Sequence, residues 1–276
     1  MNIKPLVDRS IYVLREVKAR FKNPCILYST GKDSTTLLNL VREAFFGEIP
    51  FDVVFIDTGF QFKEMYDFLE FIRGLWGFNL VRAKHPLAGK IDHKVTSFFD
   101  CCNTLKTQAL RTVIEKHGYD AVIAAIRRDE HYIRNLERVF SPRDRSFRWK
   151  IIARKKNETG DSPFLSLQPV ELWNLYQTRF LNVHHVRVHP LLWWSEVDVW
   201  RYILNRKLPV NPLYFSRGGY RYRSLGCKCC TFPVPSKAKT IKEIIREIEE
   251  SKTSEREGRI QDKEKIMRKL RALGYM

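Results

Sequence analysis

The first half of the chain alternates between short apolar runs and segments in which apolar side chains recur at helical spacing. The helical spacing predicts helices over residues 7–21, 35–46, 62–76 and 105–117. The apolar runs predict strands over residues 25–28, 51–59, 79–84 and 120–126. Strands that alternate with helices form a parallel sheet covered on both faces. The pattern therefore predicts a doubly wound, Rossmann-like α/β fold with a parallel sheet, whose ligands bind at the carboxyl ends of the strands.

The C-terminal part of the chain carries further helical signals. Ser195 precedes a segment rich in aromatic residues and is predicted to cap a helix that starts there. Apolar side chains return at helical spacing over residues 240–251 and 263–273, which predicts a pair of helices. We therefore expect two units, a main domain over residues 1–235 and a C-terminal helical extension over residues 236–276.

Size and charge limit the class of protein. With 276 residues and 44% hydrophobic content, the chain is long enough to bury one substantial core. Lys and Arg number 49 against 31 Asp and Glu, and this formal net charge of +18 favours polyanionic partners such as nucleotides, sulfate, nucleic acid or an acidic subunit. No window holds the roughly 18 uncharged apolar residues that cross a bilayer. We therefore expect a cytoplasmic protein that does not enter a membrane.

Five of the six cysteines lie in two clusters. Cytosolic chains rarely form disulfides, so clustered cysteines are predicted to be metal or redox ligands. Cys101 and Cys102 precede a predicted helix, and the second cluster runs from Cys227 to Cys230. Four thiolates suit an iron–sulfur cluster or a tetrahedral zinc ion, and buried free thiols are the alternative interpretation. Cys25 lies inside an apolar strand, where packing explains it.

A phosphate-binding loop is predicted between the first strand and the helix that follows it. Residues 29–34 read Ser-Thr-Gly-Lys-Asp-Ser, and they precede a helical segment. Small residues let backbone N–H groups approach phosphate oxygens, and the N-terminus of the following helix adds a partial positive charge. Lys32 supplies a full positive charge. The pattern differs from the Walker loop, which has a different spacing, and an ordinary strand-to-helix turn is the alternative.

The same residues resemble a known family. Residues 28–34 resemble the pyrophosphate loop of the N-type ATP pyrophosphatases, also called adenine nucleotide alpha-hydrolase-like proteins. Within them, the loop is most similar to the group that holds sulfate adenylyltransferase small subunits and the adenylylsulfate and phosphoadenylylsulfate reductases. Further segments resemble the small subunit: residues 57–66, 127–130, 140–145 with Trp149, and 253–259. The similarity spans nearly the whole chain.

The resemblance implies a reaction and a set of residues. ATP would bind across the loop, and sulfate would attack the α phosphorus to give an adenylylated intermediate and pyrophosphate. The resemblance assigns nucleotide binding to Ser29, Thr30, Gly31, Lys32, Asp33, Ser34, Asp57, Thr58 and Gly59. Charge that builds on phosphoryl oxygens calls for positioned cations, and Lys32, Arg127 and Arg128 are the candidates, with Asp33 beside them. Asp33 or Asp57 would support Mg²⁺, which prefers oxygen ligands. For Asp57, a structural cap is the alternative, and for residues 127–130 a solvated turn.

The cysteines resemble another branch of the family. Adenylylsulfate reductases carry a Cys-Cys pair and a distant Cys-x-x-Cys that hold a [4Fe–4S] cluster, and Cys101, Cys102, Cys227 and Cys230 match that pattern. The resemblance therefore implies a [4Fe–4S] cluster, with zinc as the lesser alternative. Cys229 is a spare thiol or an alternative fourth ligand.

Two other functions stay open. Family reductases use a nucleophilic cysteine in a C-terminal tail, and this sequence has no cysteine beyond Cys230, which disfavours reduction of a sulfonucleotide. Relatives that activate nucleic acid for DNA phosphorothioation or tRNA thiolation combine cysteines with ATP cleavage. The basic and aromatic residues 217–223 would suit such a substrate through phosphate contacts and stacking. The small subunits of the family also meet a GTPase partner, so a partner subunit is a further expectation.

Overall fold

A central sheet of six strands organises the protein. The computed structural model describes residues 2–131, 134, 137–149, 176, 178–180, 182–251, 255, 256, 259, 269, 270 and 273. Within these residues the strands of the sheet are β1 (Pro24–Leu27), β2 (Asp52–Asp57), β3 (Leu80–Lys84), β4 (Ala121–Ile123), β5 (Phe140–Arg143) and β6 (His185–Val188). They lie in the order β3-β2-β1-β4-β6-β5.

The sheet is mostly parallel and has one antiparallel edge. All neighbouring pairs are parallel except β5 and β6, in which Ser141 lies opposite Arg187. The doubly wound α/β prediction is therefore confirmed, while the expectation of a parallel sheet throughout is corrected at this edge. Neither β5 nor β6 has an apolar run, because each contains polar residues that the fold nevertheless buries. Hydrophobic periodicity could not reveal them.

Helices cover the sheet. They are α1 (Lys4–Arg20), α2 (Lys32–Ala44), α3 (Lys63–Trp76), α4 (Phe98–Cys102), α5 (Ala109–His117), α6 (Glu196–Arg206) and α7 (Ile241–Glu250). A π-helical turn, Asn103–Gln108, joins α4 to α5. The helix predicted at 35–46 thus begins three residues earlier, and the one predicted at 105–117 is the end of a longer composite helix. A two-stranded ribbon, β7 (Tyr220–Arg221) with β8 (Val234–Pro235), lies outside the main sheet.

The central strands are buried on both sides, as expected where helices pack on both faces of a parallel sheet. Every residue of β1 and β4 is buried. Helix α6 begins at the predicted cap, because the Ser195 hydroxyl accepts a hydrogen bond from the Asp198 amide at 3.1 Å. Trp200 of this helix is fully buried. The apolar spacing of the sequence therefore marks the faces that form the core.

Helix α7 confirms the helix predicted at residues 240–251 and packs against α6. Ile244 and Ile248 point into the same core as the sheet. The second predicted helix, over residues 263–273, lies outside the described residues except for three positions. Among the helices described, none is long and apolar enough to span a bilayer.

The strand order fixes where the chain can bind a ligand. From β1 the chain runs through α2 to β2 on one side, whereas β4 pairs with β1 on the other side. The crevice at such a switch point lies at the carboxyl ends of the two strands. Residues 28–31 follow β1 and residues 124–127 follow β4. The predicted loop and the predicted arginines therefore face each other.

Candidate functional site

A pocket opens at this switch point. Its walls come from four parts of the chain: the loop after β1 with the first turn of α2, the end of β2, residues 124–126 after β4, and residues 224–227. Lys106 of the π-helical turn, Tyr214, and two arginines near the C-terminus, Arg256 and Arg259, also line it. The pocket therefore gathers residues that lie far apart in the sequence.

The loop after β1 is held in one conformation by its own side chains. Thr30 is fully buried and has a left-handed backbone, with φ of 62°. The Ser34 hydroxyl accepts a hydrogen bond from the Ser29 amide at 3.2 Å and donates to the Gly31 carbonyl at 3.1 Å. A non-glycine residue in this left-handed region is uncommon and marks a constrained turn. The small residues noted in the sequence thus form a compact, rigid turn.

Tyr214 closes the base of the loop. The Lys32 amide donates a hydrogen bond to the Tyr214 hydroxyl at 2.9 Å. A Cβ placed on Gly31 would lie 3.2 Å from the same hydroxyl, so glycine allows the close approach. Tyr214 is buried and lines the pocket. The sequence offered no local signal for this residue, because it lies 182 positions from Lys32.

Charged side chains converge beside the loop. The Lys32 ammonium donates to an Asp33 oxygen at 3.0 Å and also to Oε1 of Glu255. The Arg127 guanidinium donates from Nε to the other Asp33 oxygen at 2.6 Å, from Nη1 to Asp129 at 2.5 Å, and from Nη2 to Oε2 of Glu255. The site is therefore a network of two buried cations and three carboxylates, of which Glu255 is buried and Asp129 is exposed.

This network fixes the protonation of the cations. Burial lowers the pKa of Lys32, but Asp33 and Glu255 outweigh it and hold that pKa above its usual value. Burial also opposes the charge of Arg127, and the same two carboxylates raise its pKa as well. Burial raises the pKa of Glu255 to about 7 against the opposing effect of Arg127 and Lys32. Both cations therefore stay charged at neutral pH.

Arg127 and Arg128 point in different directions. Arg127 is fully buried within the network, and Asp129, which accepts from it, also accepts the amide of Glu196 at 2.8 Å. The Arg128 guanidinium instead lies 3.9 Å from the centre of the Trp193 ring. Neither arginine lines the pocket. Of the two arginines, only Arg127 shares carboxylates with Lys32, and it lies behind the pocket wall.

The C-terminal residues reach across the pocket. Arg256 and Arg134 both pair with the buried carboxylate of Glu130, and Arg259 donates to the Ser224 hydroxyl at 3.0 Å. A Cβ on Gly226 would lie 2.5 Å from the Arg259 guanidinium, so this glycine makes room for the arginine. Sequence reasoning noted this segment only through its resemblance and gave it no role.

The end of β2 supplies both scaffold and pocket wall. Asp57 accepts hydrogen bonds from the Gly59 amide at 2.9 Å and the Tyr66 hydroxyl at 2.8 Å. It therefore holds the turn after β2, in agreement with the structural alternative for this residue. Thr58 and Gln61 line the pocket, whereas Asp57 and Gly59 do not. Gly59 has φ of 74°, and its Cβ would lie 2.4 Å from the Gly89 amide nitrogen. This glycine therefore joins two loops at van der Waals contact.

The cysteine clusters meet at one wall of the pocket. All six thiols are free, and Cys227 lies 3.3 Å from the hydroxyl of Thr58. Hydrogen bonds from Cys229 and Cys230 lower the pKa of Cys227. Burial, together with the neighbouring thiols Cys102, Cys227 and Cys230, raises the pKa of Cys101 to about 12. Phe60 packs against the cluster that contains Cys101, and its carbonyl accepts a hydrogen bond from the Lys228 amide at 2.8 Å, so the two cysteine segments lie side by side.

The thiols suit a metal cluster in their chemistry, because four cysteine thiolates are the usual ligands of a [4Fe–4S] cluster. Within the part of the chain that the structure describes, no group of three or more His, Cys, Asp or Glu side chains is arranged to hold a metal ion. The cysteines therefore match a metal cluster in the type and number of their ligand atoms, and their side chains are not already arranged around a metal position.

The basic stretch at residues 217–223 is largely engaged within the protein. Arg221 pairs with Glu247 at 3.0 Å, and Arg223 pairs with Glu196 at 2.9 Å. Tyr220 is exposed. Two of the three arginines thus contribute to the fold, and the structure adds no support for a nucleic-acid surface here.

The sequence matches known proteins along most of its length. Residues 23–233 match the family model of the phosphoadenosine phosphosulfate reductase domain. A protein of Stutzerimonas stutzeri named sulfate adenylyltransferase subunit 2 is 36% identical over 297 aligned positions, which cover 95% of this chain and 93% of that protein. The protein of the same name from Psychromonas ingrahamii is 35% identical and covers 99% of this chain and 97% of its own length.

Solved structures support the fold. The crystal structure of phosphoadenylyl-sulfate reductase from Candida auris, a phosphate complex, superposes with a TM-score of 0.54 at 17% identity. The match covers 81% of this chain and 90% of that chain. At this identity the likeness establishes a common α/β architecture and no more.

Proposed function

The chain belongs to the phosphoadenosine phosphosulfate reductase domain family, and on that premise we propose that it is an ATP-cleaving nucleotidyltransferase of sulfur metabolism. ATP binds in the pocket between β1 and β4 and is cleaved between its α and β phosphates. The adenylyl group passes to an oxyanion, with sulfate as the first candidate, because the curated relatives are named sulfate adenylyltransferase subunit 2.

The convergence of Lys32 and Arg127 carries this proposal. The two side chains come from adjacent strands, meet at the switch point and share two carboxylates, Asp33 and Glu255. A phosphate chain develops negative charge on its oxygens in the transition state, and fixed cations stabilise that charge. In a buried site the attraction is stronger than in water. These two residues are the proposed catalytic cations, and Arg128 is assigned to packing on Trp193.

The remaining nucleotide contacts follow from the pocket lining. Ser29, Gly31 and Ser34 form the rim of the loop, and the start of α2 directs its partial positive charge toward the same space. Thr58 lies at the opposite wall. Thr30, Asp57 and Gly59 act as scaffold, because the first is buried and the other two hold the β2 turn.

Magnesium would be held by carboxylate oxygens together with the phosphates. Asp33 is the proposed ligand on the protein side, since it lies beside Lys32 at the start of α2 and borders the pocket. Asp57 does not line the pocket, and its Oδ1 accepts hydrogen bonds from the Gly59 amide and the Tyr66 hydroxyl. When bound, the ion would neutralise phosphate charge, and Lys32 and Arg127 would orient the phosphate chain.

We also propose that Cys101, Cys102, Cys227 and Cys230 hold a [4Fe–4S] cluster. Their shared neighbourhood beside Thr58 supports this assignment, and Cys229 is the alternative fourth ligand. The cluster would supply an electron-transfer or sulfur-binding group next to the nucleotide. Anaerobic purification with iron and sulfide assays tests it: about four irons per chain support the cluster, whereas zinc or no metal contradicts it.

A partner subunit is proposed as well, since the relatives carry the name subunit 2.

Sulfonucleotide reduction is the second candidate function beside adenylyl transfer, favoured by the family model itself. These functions differ in what the chain does to ATP, because only adenylyl transfer releases pyrophosphate from it.

The direct test is pyrophosphate release from ATP in the presence of sulfate, measured for the wild type and for Lys32→Ala. We expect the variant to lose release by about 100-fold or more, because one transition-state cation is gone. Lys63→Ala is the matched control, since Lys63 is an exposed lysine at the start of α3 that pairs with Asp67. Unchanged release by Lys32→Ala, with the fold intact by circular dichroism, contradicts the proposal. A parallel incubation with DNA in place of sulfate identifies a nucleic-acid acceptor if one exists.

A further inference from the structure

Glu255 occupies the cation pair of the site. Its two oxygens are divided between the cations: Oε1 accepts from Lys32, and Oε2 accepts from Arg127. Both cations have side chains that are fully buried, and the side chain of Glu255 is 5% exposed. One carboxylate that bridges two cations satisfies them as a phosphate group would, through two charge-assisted hydrogen bonds.

Glu255 differs from the other carboxylates of the network by its origin in the chain. Asp33 adjoins Lys32 at the start of α2, and Asp129 follows Arg127 by two positions, so both are fixed with the cations they pair with. Glu255 lies 223 positions from Lys32 and 128 from Arg127. Among the described carboxylates of the network, it is the one that does not adjoin either cation in the sequence.

The neighbours of Glu255 belong to the same pocket. Arg256 and Arg259 both line it, and Arg259 also forms an isolated antiparallel bridge with Thr231. The described part of this segment therefore places one anion on the phosphate-loop cations and two cations along the pocket wall. A ligand phosphate that reaches Lys32 and Arg127 has to take over the hydrogen bonds that Glu255 accepts.

We propose that Glu255 is an internal competitor of the phosphate chain, and that it sets the preference of this site for ligands that carry phosphate over those that do not. Replacement of a carboxylate on two buried cations requires a ligand that brings at least as much negative charge. A triphosphate meets this requirement, whereas a nucleoside without phosphates does not engage the cations at all. This inference rests on the proposed function, because it assumes that the phosphates of ATP bind at Lys32 and Arg127.

The test is calorimetric binding of ATP and of adenosine to the wild type, Glu255→Gln and Lys32→Ala. Glu255→Gln keeps the shape of the side chain and removes the competing charge. We expect it to bind ATP about tenfold more tightly, the effect of losing one competing charged hydrogen bond, and to bind adenosine as the wild type does. Glu249→Gln is the matched control, since it removes one carboxylate that pairs with Arg201 on the surface.

The outcomes separate this inference from the proposed function. If the wild type binds ATP, Lys32→Ala weakens it, and Glu255→Gln binds ATP no more tightly than the wild type, the competitor role is wrong and the nucleotide site stands. Equal tightening for adenosine also overturns the competitor role. If the wild type does not bind ATP, both proposals fail.

The melting temperature, measured with and without ATP, gives a second test that holds even if Glu255→Gln is less stable than the wild type. Without Glu255 the two cations lose a shared counterion, so Glu255→Gln should melt at a lower temperature than the wild type. Addition of ATP should then raise its melting temperature by more than it raises that of the wild type, because ligand binding stabilises in proportion to affinity. Glu255→Asp is one methylene shorter and still charged. The increase of its melting temperature with ATP should lie between those of the wild type and Glu255→Gln. A purely structural glutamate would lower the melting temperature and give no larger response to ATP.

Discussion

At the scale of single residues, two neighbouring arginines have unrelated surroundings. Arg127 divides its guanidinium among three carboxylates, and Arg128 stacks over the ring of Trp193. Both follow the same strand, and the sequence presented them as one pair of candidate cations. Consecutive side chains point in different directions, and the direction of each arginine decides its role. No pattern in the local sequence shows which arginine points to the network.

Substitution by lysine separates the two roles. Arg127→Lys keeps the charge but cannot donate to three carboxylates, so we expect a loss of about 3 kcal/mol in the free energy of unfolding and about 100-fold in activity. Arg128→Lys should cost about 1 kcal/mol, because it weakens the contact with the Trp193 ring and a hydrogen bond to the Glu137 carbonyl, and should leave activity nearly unchanged. Denaturant unfolding and pyrophosphate release check both values. Equal losses of activity in the two variants would contradict the assignment.

A glycine at the end of β2 gives a second test at this scale. Gly59 has a left-handed backbone, and its added Cβ would meet the backbone of Gly89. Gly59→Ala should lower the free energy of unfolding by about 3 kcal/mol, which combines about 1 kcal/mol of backbone strain with the steric clash. Gly118→Ala isolates the strain, because Gly118 has φ of 65° and no atom within 4 Å of the added Cβ. Urea unfolding measures both, and equal effects would show that the contact with Gly89 is unimportant.

At the scale of elements, the sequence predicted the helices and strands that have a one-sided or continuous apolar pattern. It missed β5 and β6, whose buried residues include Ser141, Arg143 and Arg187. It also missed the π-helical turn Asn103–Gln108, since a change of helical register leaves the apolar spacing almost unaltered. The turn follows Cys101 and Cys102 in the chain, and its Lys106 lines the pocket. Such turns are frequent at functional sites.

Helix α7 tests how far the core extends toward the C-terminus. Its Ile244 is fully buried in the core that includes the sheet, although the sequence placed it in an extension beyond residue 235. Ile244→Ala should lower the free energy of unfolding by about 3 kcal/mol in a single cooperative transition, because the cavity lies in the main core. Lys242→Ala on the exposed side of the helix should change it by less than about 0.5 kcal/mol. A separate early transition in Ile244→Ala would indicate that the C-terminal region unfolds independently.

At the scale of the whole molecule, the strand order brings the site together. The loop and the strand ends could be predicted from the sequence, because apolar runs marked β1 and β4 and small residues marked the turn between β1 and α2. Tyr214 and Glu255 could not be predicted to reach Lys32, since they lie 182 and 223 positions away and contact it only through the fold. The cysteines were found by their spacing, and the fold supplies their common neighbourhood.

The structure shows which of the basic residues behind the formal charge of +18 lie at the site. Lys32, Arg134 and Arg256 of the pocket are paired with carboxylates, and Arg221 and Arg223 of the basic stretch are paired as well. The excess charge therefore attracts anions to the molecule in general, whereas Lys32 and Arg127 are positioned for one phosphate chain.

The position of bond cleavage in ATP decides whether this protein transfers an adenylyl group. ATP labelled at the α phosphate is incubated with the protein, Mg²⁺ and sulfate, and the labelled products are separated. We expect the label in AMP or in adenylylsulfate, with unlabelled pyrophosphate released, and we expect Lys32→Ala to abolish this product. Label recovered in ADP would contradict adenylyl transfer, because it would show cleavage between the β and γ phosphates.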